Sequence, residues 1–173
     1  MSTPIVKRTW APVGKTPVYK RRARSHDKVT IIGAVVCRRD ATQARFYFRM
    51  LPGRNANSSA FVAFLEQLLL NIPGPIIVIW DRLSAHRSKK VVAWLMKHPR
   101  VTTEFLPAYA PELNPVEQAW GYLKGHEMKN FAPHTLEELH ARAKIGACRM
   151  RRRRPIVDSW LSHCGLRFDP MCS

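Results

Sequence analysis

The run Ile76-Ile77-Val78-Ile79-Trp80 is closed on one side by Pro73-Gly74-Pro75 and stops on the other at Asp81. Between such breakers five consecutive apolar residues are too few for a helix. The run reads as a strand with apolar side chains on both faces, of the kind that lies buried beneath two covering layers. Its last residue hands the chain to a carboxylate, and in open α/β sheets ligands bind beyond the carboxyl ends of the strands.

The rest of the chain supplies partners for that strand. Residues 29–37 are rich in β-branched side chains and residues 44–50 alternate around aromatics, which predicts an antiparallel hairpin across 38–42. Asn57-Ser58-Ser59 offers capping side chains ahead of Phe61, Phe64, Leu65, Leu68 and Leu69, so a helix is expected over 58–70. A helix over 88–98, a strand near 102–106, and helices near 115–126 and 135–149 complete the body. The Pro-rich stretch Leu106-Pro107-Ala108-Tyr109-Ala110-Pro111 breaks regular structure. This order is that of a mixed α/β sheet flanked by helices, in a single domain over residues 1–173.

Charge narrows the class of partner. Lys and Arg total 29 against 12 Asp and Glu, for a net charge of +17. Residues 1–30 hold eight basic side chains and one acid, and residues 142–154 hold seven and none, so the body between is close to neutral. Lys20, Arg21, Arg22 and Arg24 in one segment, with Arg149, Arg151, Arg152, Arg153 and Arg154 in the other, are the candidate DNA-binding residues. A solvated basic surface is the alternative explanation of the same runs. The N-terminus lacks a secretory signal and no apolar run approaches bilayer length, so a cytoplasmic, nucleoid-associated chain with no membrane partner is expected. Cys37, Cys148, Cys164 and Cys172 contain no paired-ligand spacing and read as reduced thiols.

Two acids stand out. Asp81 sits at a sheet end, although an Asp there also serves simply to start a turn. Glu117 follows Asn114-Pro115-Val116, which reads as an N-cap, a proline at the first helical position and a capping-box acid at the third. The apolar stripe Val116, Ala119, Trp120 and Leu123 places Glu117 at the border of the buried face. Two converging carboxylates in a basic protein point to a hard divalent cation, Mg2+ or Mn2+, and a phosphate substrate. No phosphate-cradling glycine loop and no nucleophile elbow occurs.

Asp81-Arg82-Leu83-Ser84-Ala85-His86, followed by Leu106-Pro107-Ala108-Tyr109-Ala110-Pro111-Glu112-Leu113-Asn114-Pro115-Val116-Glu117-Gln118-Ala119-Trp120-Gly121-Tyr122-Leu123-Lys124, resembles the catalytic domain of mariner-like bacterial insertion-sequence transposases of the DDE superfamily. Residues 8–17 also match, so the resemblance covers nearly the whole chain. It implies a ribonuclease-H-like fold and makes Asp81 and Glu117, 36 positions apart, the second and third metal-binding acids. His86 corresponds to a supporting site or DNA contact, although taken alone it reads as an exposed loop histidine, and Asn114 supports Glu117 by pinning its helix. Arg82 departs from the Asn usual at that position.

The implied reaction is Mg2+- or Mn2+-dependent hydrolysis at element ends, then attack of the freed 3′-hydroxyl on target DNA. The implied partners are double-stranded DNA, both transposon ends and target, and an upstream-encoded part of the transposase or a second copy. The family's first acid lies on a central strand just before the segment matched by residues 8–17. Met1-Ser2-Thr3-Pro4-Ile5-Val6-Lys7 contains no acid, and Asp27 and Asp40 fit poorly. The expectation is a catalytic domain lacking its first, central strand and first acid, with two unpaired edges in the sheet, and incomplete or inactive alone. The alternative is an inactive truncated remnant that only binds DNA or a full-length partner.

Overall fold

The protein is described here by a computed structural model over residues 10–15, 28–38 and 44–166. Strands β1 (Val29–Val36) and β2 (Arg45–Pro52) form the expected hairpin, with Val29 opposite Pro52, Gly33 opposite Phe48 and Val36 opposite Arg45. Helix α1 (Ser58–Asn71) starts where the Asn57 side chain accepts a hydrogen bond from the Ala60 N–H at 2.9 Å. Strand β3 (Ile76–Trp80) is joined to the parallel strand β4 (Val101–Phe105) through α2 (Lys89–Met96), which is capped by Ser88. Helix α3 (Pro115–Tyr122) runs on into a π-helical turn, Leu123–Glu127. Helix α4 (Leu136–Arg152) follows with Thr135 as its cap, and α5 (Arg154–His163) closes the described body.

The sheet is in two pieces. β1 pairs with β2 and β3 pairs with β4, and among the described residues no ladder joins β1 to β3. Period-two alternation along the hairpin divides its side chains between two cores. Val29, Ile31, Val35, Phe46 and Phe48 face Ala119, Leu123, Ala143, Met150 and Trp160 of the layer built by α3, α4 and α5. Ile32, Ala34, Val36 and Tyr47 face Phe64, Leu65 and Leu68 of α1, in the core that also takes Trp80, Val91, Trp94 and Val101. The expected mixed α/β architecture with helices on both faces is therefore present.

One expectation is corrected at β3. It is buried on one face only: Ile76, Val78 and Trp80 point toward the core, whereas Ile77 and Ile79 are 67% and 59% exposed. The physical reason is the reach of the second helical layer, since α4 and α5 pack on the hairpin and no described element covers the outer face of β3. A second correction is α5, which lies beyond the predicted last helix. It supplies Val157, Trp160 and Leu161 to the core, and Asp158 Oδ1 accepts a hydrogen bond from the Ala44 N–H at 2.6 Å.

Close backbone approach seats α3 on the sheet. A Cβ at Gly33 would lie 2.9 Å from the Cη2 of Trp120, so the missing side chain is what lets that indole lie against β1. Trp120 and Trp160 meet Phe46 edge-on, with ring centroids 6.1 and 5.6 Å away. Gly146 plays the same part for α4, where a Cβ would come within 2.7 Å of Leu123 Cδ1 and 2.8 Å of Glu127 Cβ. No helix among the described residues is long and apolar enough to cross a membrane. Cys37, Cys148 and Cys164 are free thiols, and burial pushes Cys37 and Cys164 above the usual thiol range. Cys172 lies outside the described residues.

Candidate active site

Asp81 leaves the end of β3, where the Leu106 N–H donates to the Trp80 carbonyl at 2.9 Å and holds the two strand exits together. Its Oδ1 accepts a hydrogen bond from the Leu83 N–H at 3.0 Å, so it does start a turn. The same oxygen lies 3.1 Å from His86 Nδ1, which is also 3.2 Å from the Asp81 carbonyl oxygen. A carbonyl can only accept, so Nδ1 carries the proton and donates to both. These bonds fix the rotation of the carboxylate and leave Oδ2 without a protein partner among the described residues. The side chain of Asp81 is 56% exposed.

His86 differs from the exposed loop histidine that its local sequence indicates. It is 8% exposed, stacked on Trp80 with centroids 4.5 Å apart and planes 5° from parallel, and met edge-on by Phe61 at 4.4 Å. The 3₁₀ turn Ser84–Arg87 folds the imidazole back under β3 and onto α1. Local sequence could not reveal this, because both aromatic walls come from other elements.

Glu117 comes from the first turn of α3. Asn114 Oδ1 accepts from the Val116 N–H at 3.1 Å, and Pro115 opens the helix as the sequence predicts. The reciprocal half of the capping box is not formed. The Asn114 N–H donates instead to the Pro111 carbonyl at 3.0 Å, which leaves nothing for Glu117 to cap. Its carboxylate is exposed and has no protein partner among the described residues.

Asp81 and Glu117 line one cleft of about 420 Å³ with Arg82, Asn114 and the loop 106–111. Arg82, which replaces the expected Asn, donates from Nε to the Leu106 carbonyl at 3.2 Å and so ties that loop to the end of β3. Tyr109, at the crest of the loop, was not singled out by the sequence. It has φ +59° and is 102% exposed. A left-handed backbone costs a tyrosine about 1–2 kcal/mol. The donor set facing the cleft is hard oxygen, which suits Mg2+ or Mn2+. Among the described residues no group of three or more His, Cys, Asp or Glu is placed to hold a metal, so the acids here are a pair.

The basic segment 149–154 stands apart, and none of it lines the cleft. Arg149 pairs with Glu127 at 3.3 Å, Arg153 donates to the Tyr122 hydroxyl at 3.0 Å, and Arg151 lies over the Phe48 ring at 5.8 Å. Arg154 is also engaged by a neighbour, while Arg152 is exposed at the end of α4. Lys20, Arg21, Arg22 and Arg24 lie outside the described residues. Glu127, only 7% exposed, also escapes sequence reasoning, because its burial depends on Gly146 and Arg149 some twenty residues on.

Comparison with known proteins bears on the family and the fold. A curated relative, the insertion element IS630 uncharacterized 39 kDa protein of Shigella sonnei, is 32% identical over 90 residues, which are 50% of this chain and 26% of that protein. The chain thus spans only part of its relative. The crystal structure of the Mos1 mariner paired end complex with Mn superposes with a TM-score of 0.52 at 18% identity, over 96% of this chain and 53% of that one. That likeness shows a shared fold, the ribonuclease-H-like mixed α/β architecture that the resemblance implied. The family model described as DDE superfamily endonuclease matches residues 2–140, and the chain belongs to that family.

Proposed function

We propose that these residues form the catalytic part of a transposase that cuts and joins DNA, with Asp81 and Glu117 as the ligands of a Mg2+ or Mn2+ ion. The observation that carries this reading is the shared cleft: two exposed carboxylates, one from the end of β3 and one from the start of α3, face it, and among the described residues neither Oδ2 of Asp81 nor Glu117 has a protein partner. A divalent ion bound there supplies charge stabilisation for in-line displacement at phosphorus.

The chain's own groups do the rest. His86, clamped between Trp80 and Phe61, holds Asp81 through Nδ1 and acts as a positioning residue. Asn114 and Pro115 fix the first turn of α3 and hence the direction of Glu117. The partner is double-stranded DNA, both transposon ends and target, drawn by the net positive charge, with Arg152 and the basic N-terminal segment as phosphate contacts. The domain spans residues 1–173.

Taken by itself the Asp81–Glu117 pair holds one ion weakly and supports little cleavage, because two carboxylates are a thin ligand set for a pair of ions. Full activity needs a third acid from an upstream-encoded part of the transposase or from a second copy. Nicking of supercoiled plasmid in Mn2+ tests the reading. The expected result is a trace of metal-dependent nicking that disappears in Asp81→Ala and Glu117→Ala and rises when an upstream segment bearing an Asp is supplied. Nicking that both variants retain would overturn it.

A further inference from the structure

We propose that Tyr109 and Arg82 form a nucleotide subsite on the rim of the acid cleft, the Tyr109 ring stacking on an unpaired DNA base and the Arg82 guanidinium holding its phosphate. The inference deepens the functional reading above and rests on it.

Tyr109 is held in a conformation disfavoured for any side chain, at φ +59°, with its ring wholly exposed. Among the described residues the ring meets no other ring and the hydroxyl has no hydrogen-bond partner. Nothing among the described residues therefore offsets the strain or the exposed aromatic surface. The loop that carries Tyr109 is nonetheless tied down at several points. Pro107 and Pro111 fix the backbone at either end of the loop and restrict Leu106 and Ala110 before them. Leu106 is tied at its N–H to Trp80 and at its carbonyl to Arg82, and the Leu113 N–H closes on the Ala110 carbonyl at 3.2 Å. The loop thus presents a flat ring beside two carboxylates.

Arg82 supplies the matching charge. Its Nε is used on the Leu106 carbonyl, which leaves the terminal amino groups at the cleft, where a guanidinium favours a phosphate oxygen. A partner with a flat aromatic face and an adjacent anion is a nucleotide, and stacking on an aromatic side chain requires a base out of its duplex stack. The subsite accordingly takes the frayed end of a DNA strand.

The test is metal-free. A DNA duplex carrying 2-aminopurine at a mismatched terminal position is titrated with the chain in EDTA, and quenching of the probe reports stacking. The parent and Tyr109→Phe should quench alike. Tyr109→Gly, which relieves the left-handed strain and so keeps or raises the thermal midpoint, should lose the quench and bind about tenfold more weakly. Arg82→Gln should keep the quench and lower the salt dependence of binding by about one phosphate contact. Parent-like quenching in Tyr109→Gly would overturn the proposal and leave the ring to a protein neighbour. Failure of the acid pair to bind metal would defeat the catalytic reading without touching this result, so the two are separable.

Discussion

The contact between Gly146 and the π-helical turn braces the chain just beyond the Glu117 helix, and it makes a sharp prediction. On helix propensity alone, Gly146→Ala in the interior of α4 should stabilise the protein by about 1 kcal/mol. The packing opposes this. The new Cβ would sit 2.7 Å from Leu123 Cδ1 and 2.8 Å from Glu127 Cβ, both below any ordinary carbon contact. The leucine methyl can swing aside, but a Cβ moves only with its backbone, so Leu123–Glu127 must shift. Overpacking of this kind costs about 1–3 kcal/mol, which offsets the propensity gain of about 1 kcal/mol and leaves a net loss of up to about 2 kcal/mol.

Gly121→Ala is the matched control. It lies in α3 with no heavy atom within 4 Å of the added Cβ, and should be stabilising by up to about 1 kcal/mol. In urea, with a slope of about 2 kcal/mol/M, the two midpoints should move in opposite directions, that of Gly146→Ala down by up to about 1 M and that of Gly121→Ala up by as much as about 0.5 M. If Gly146→Ala unfolds later than the parent, the close approach of α4 to this turn is wrong, and so is the account of what braces the chain just beyond α3.

Other substitutions read other parts of the structure. Gly33→Ala should destabilise by about 1–3 kcal/mol and change tryptophan fluorescence, since the new Cβ would press on Trp120 at 2.9 Å. Asn114→Ala should cost about 1 kcal/mol in chemical denaturation through loss of the α3 cap, whereas Glu117→Gln should leave stability within about 0.5 kcal/mol because that carboxylate caps nothing. The half-buried thiol of Cys37 keeps its proton in the folded protein to a higher pH than in the unfolded chain. Its contribution to stability is therefore complete below the ordinary thiol value of 9.0 and is lost as pH rises beyond it. Cys37→Ala should flatten that alkaline decline in denaturation curves measured between about pH 8 and pH 10.

Much of the fold was legible because its signals are local. The alternation of the hairpin, the caps Asn57 and Asn114, and the breakers around Ile76 all act within a few residues and appear where the sequence places them. The cleft was legible for a similar reason: a strand end and a proline-capped helix start each announce one acid. What the sequence hid depends on distant partners. The exposure of Ile77 and Ile79 is decided by how far α4 and α5 extend, and the burial of His86 by Trp80 and Phe61 together. Helix α5 had a signal in Pro155 followed by Ile156, Val157, Trp160 and Leu161 at helical spacing, but it follows a run of arginines that reads as a solvated end. The left-handed Tyr109 has no sequence signature, since glycine or asparagine would be the expected occupant.

Catalysis at this cleft requires Asp81 and Glu117 to grip the same ion. Titration of Mn2+ into the chain without DNA, followed by the loss of the free-ion electron paramagnetic resonance signal, measures this directly. The predicted isotherm shows one weakly bound ion whose binding is abolished in Asp81→Ala and equally in Glu117→Ala, with His86→Ala weakening it about tenfold or more. An isotherm that either acid variant leaves unchanged would contradict the shared site.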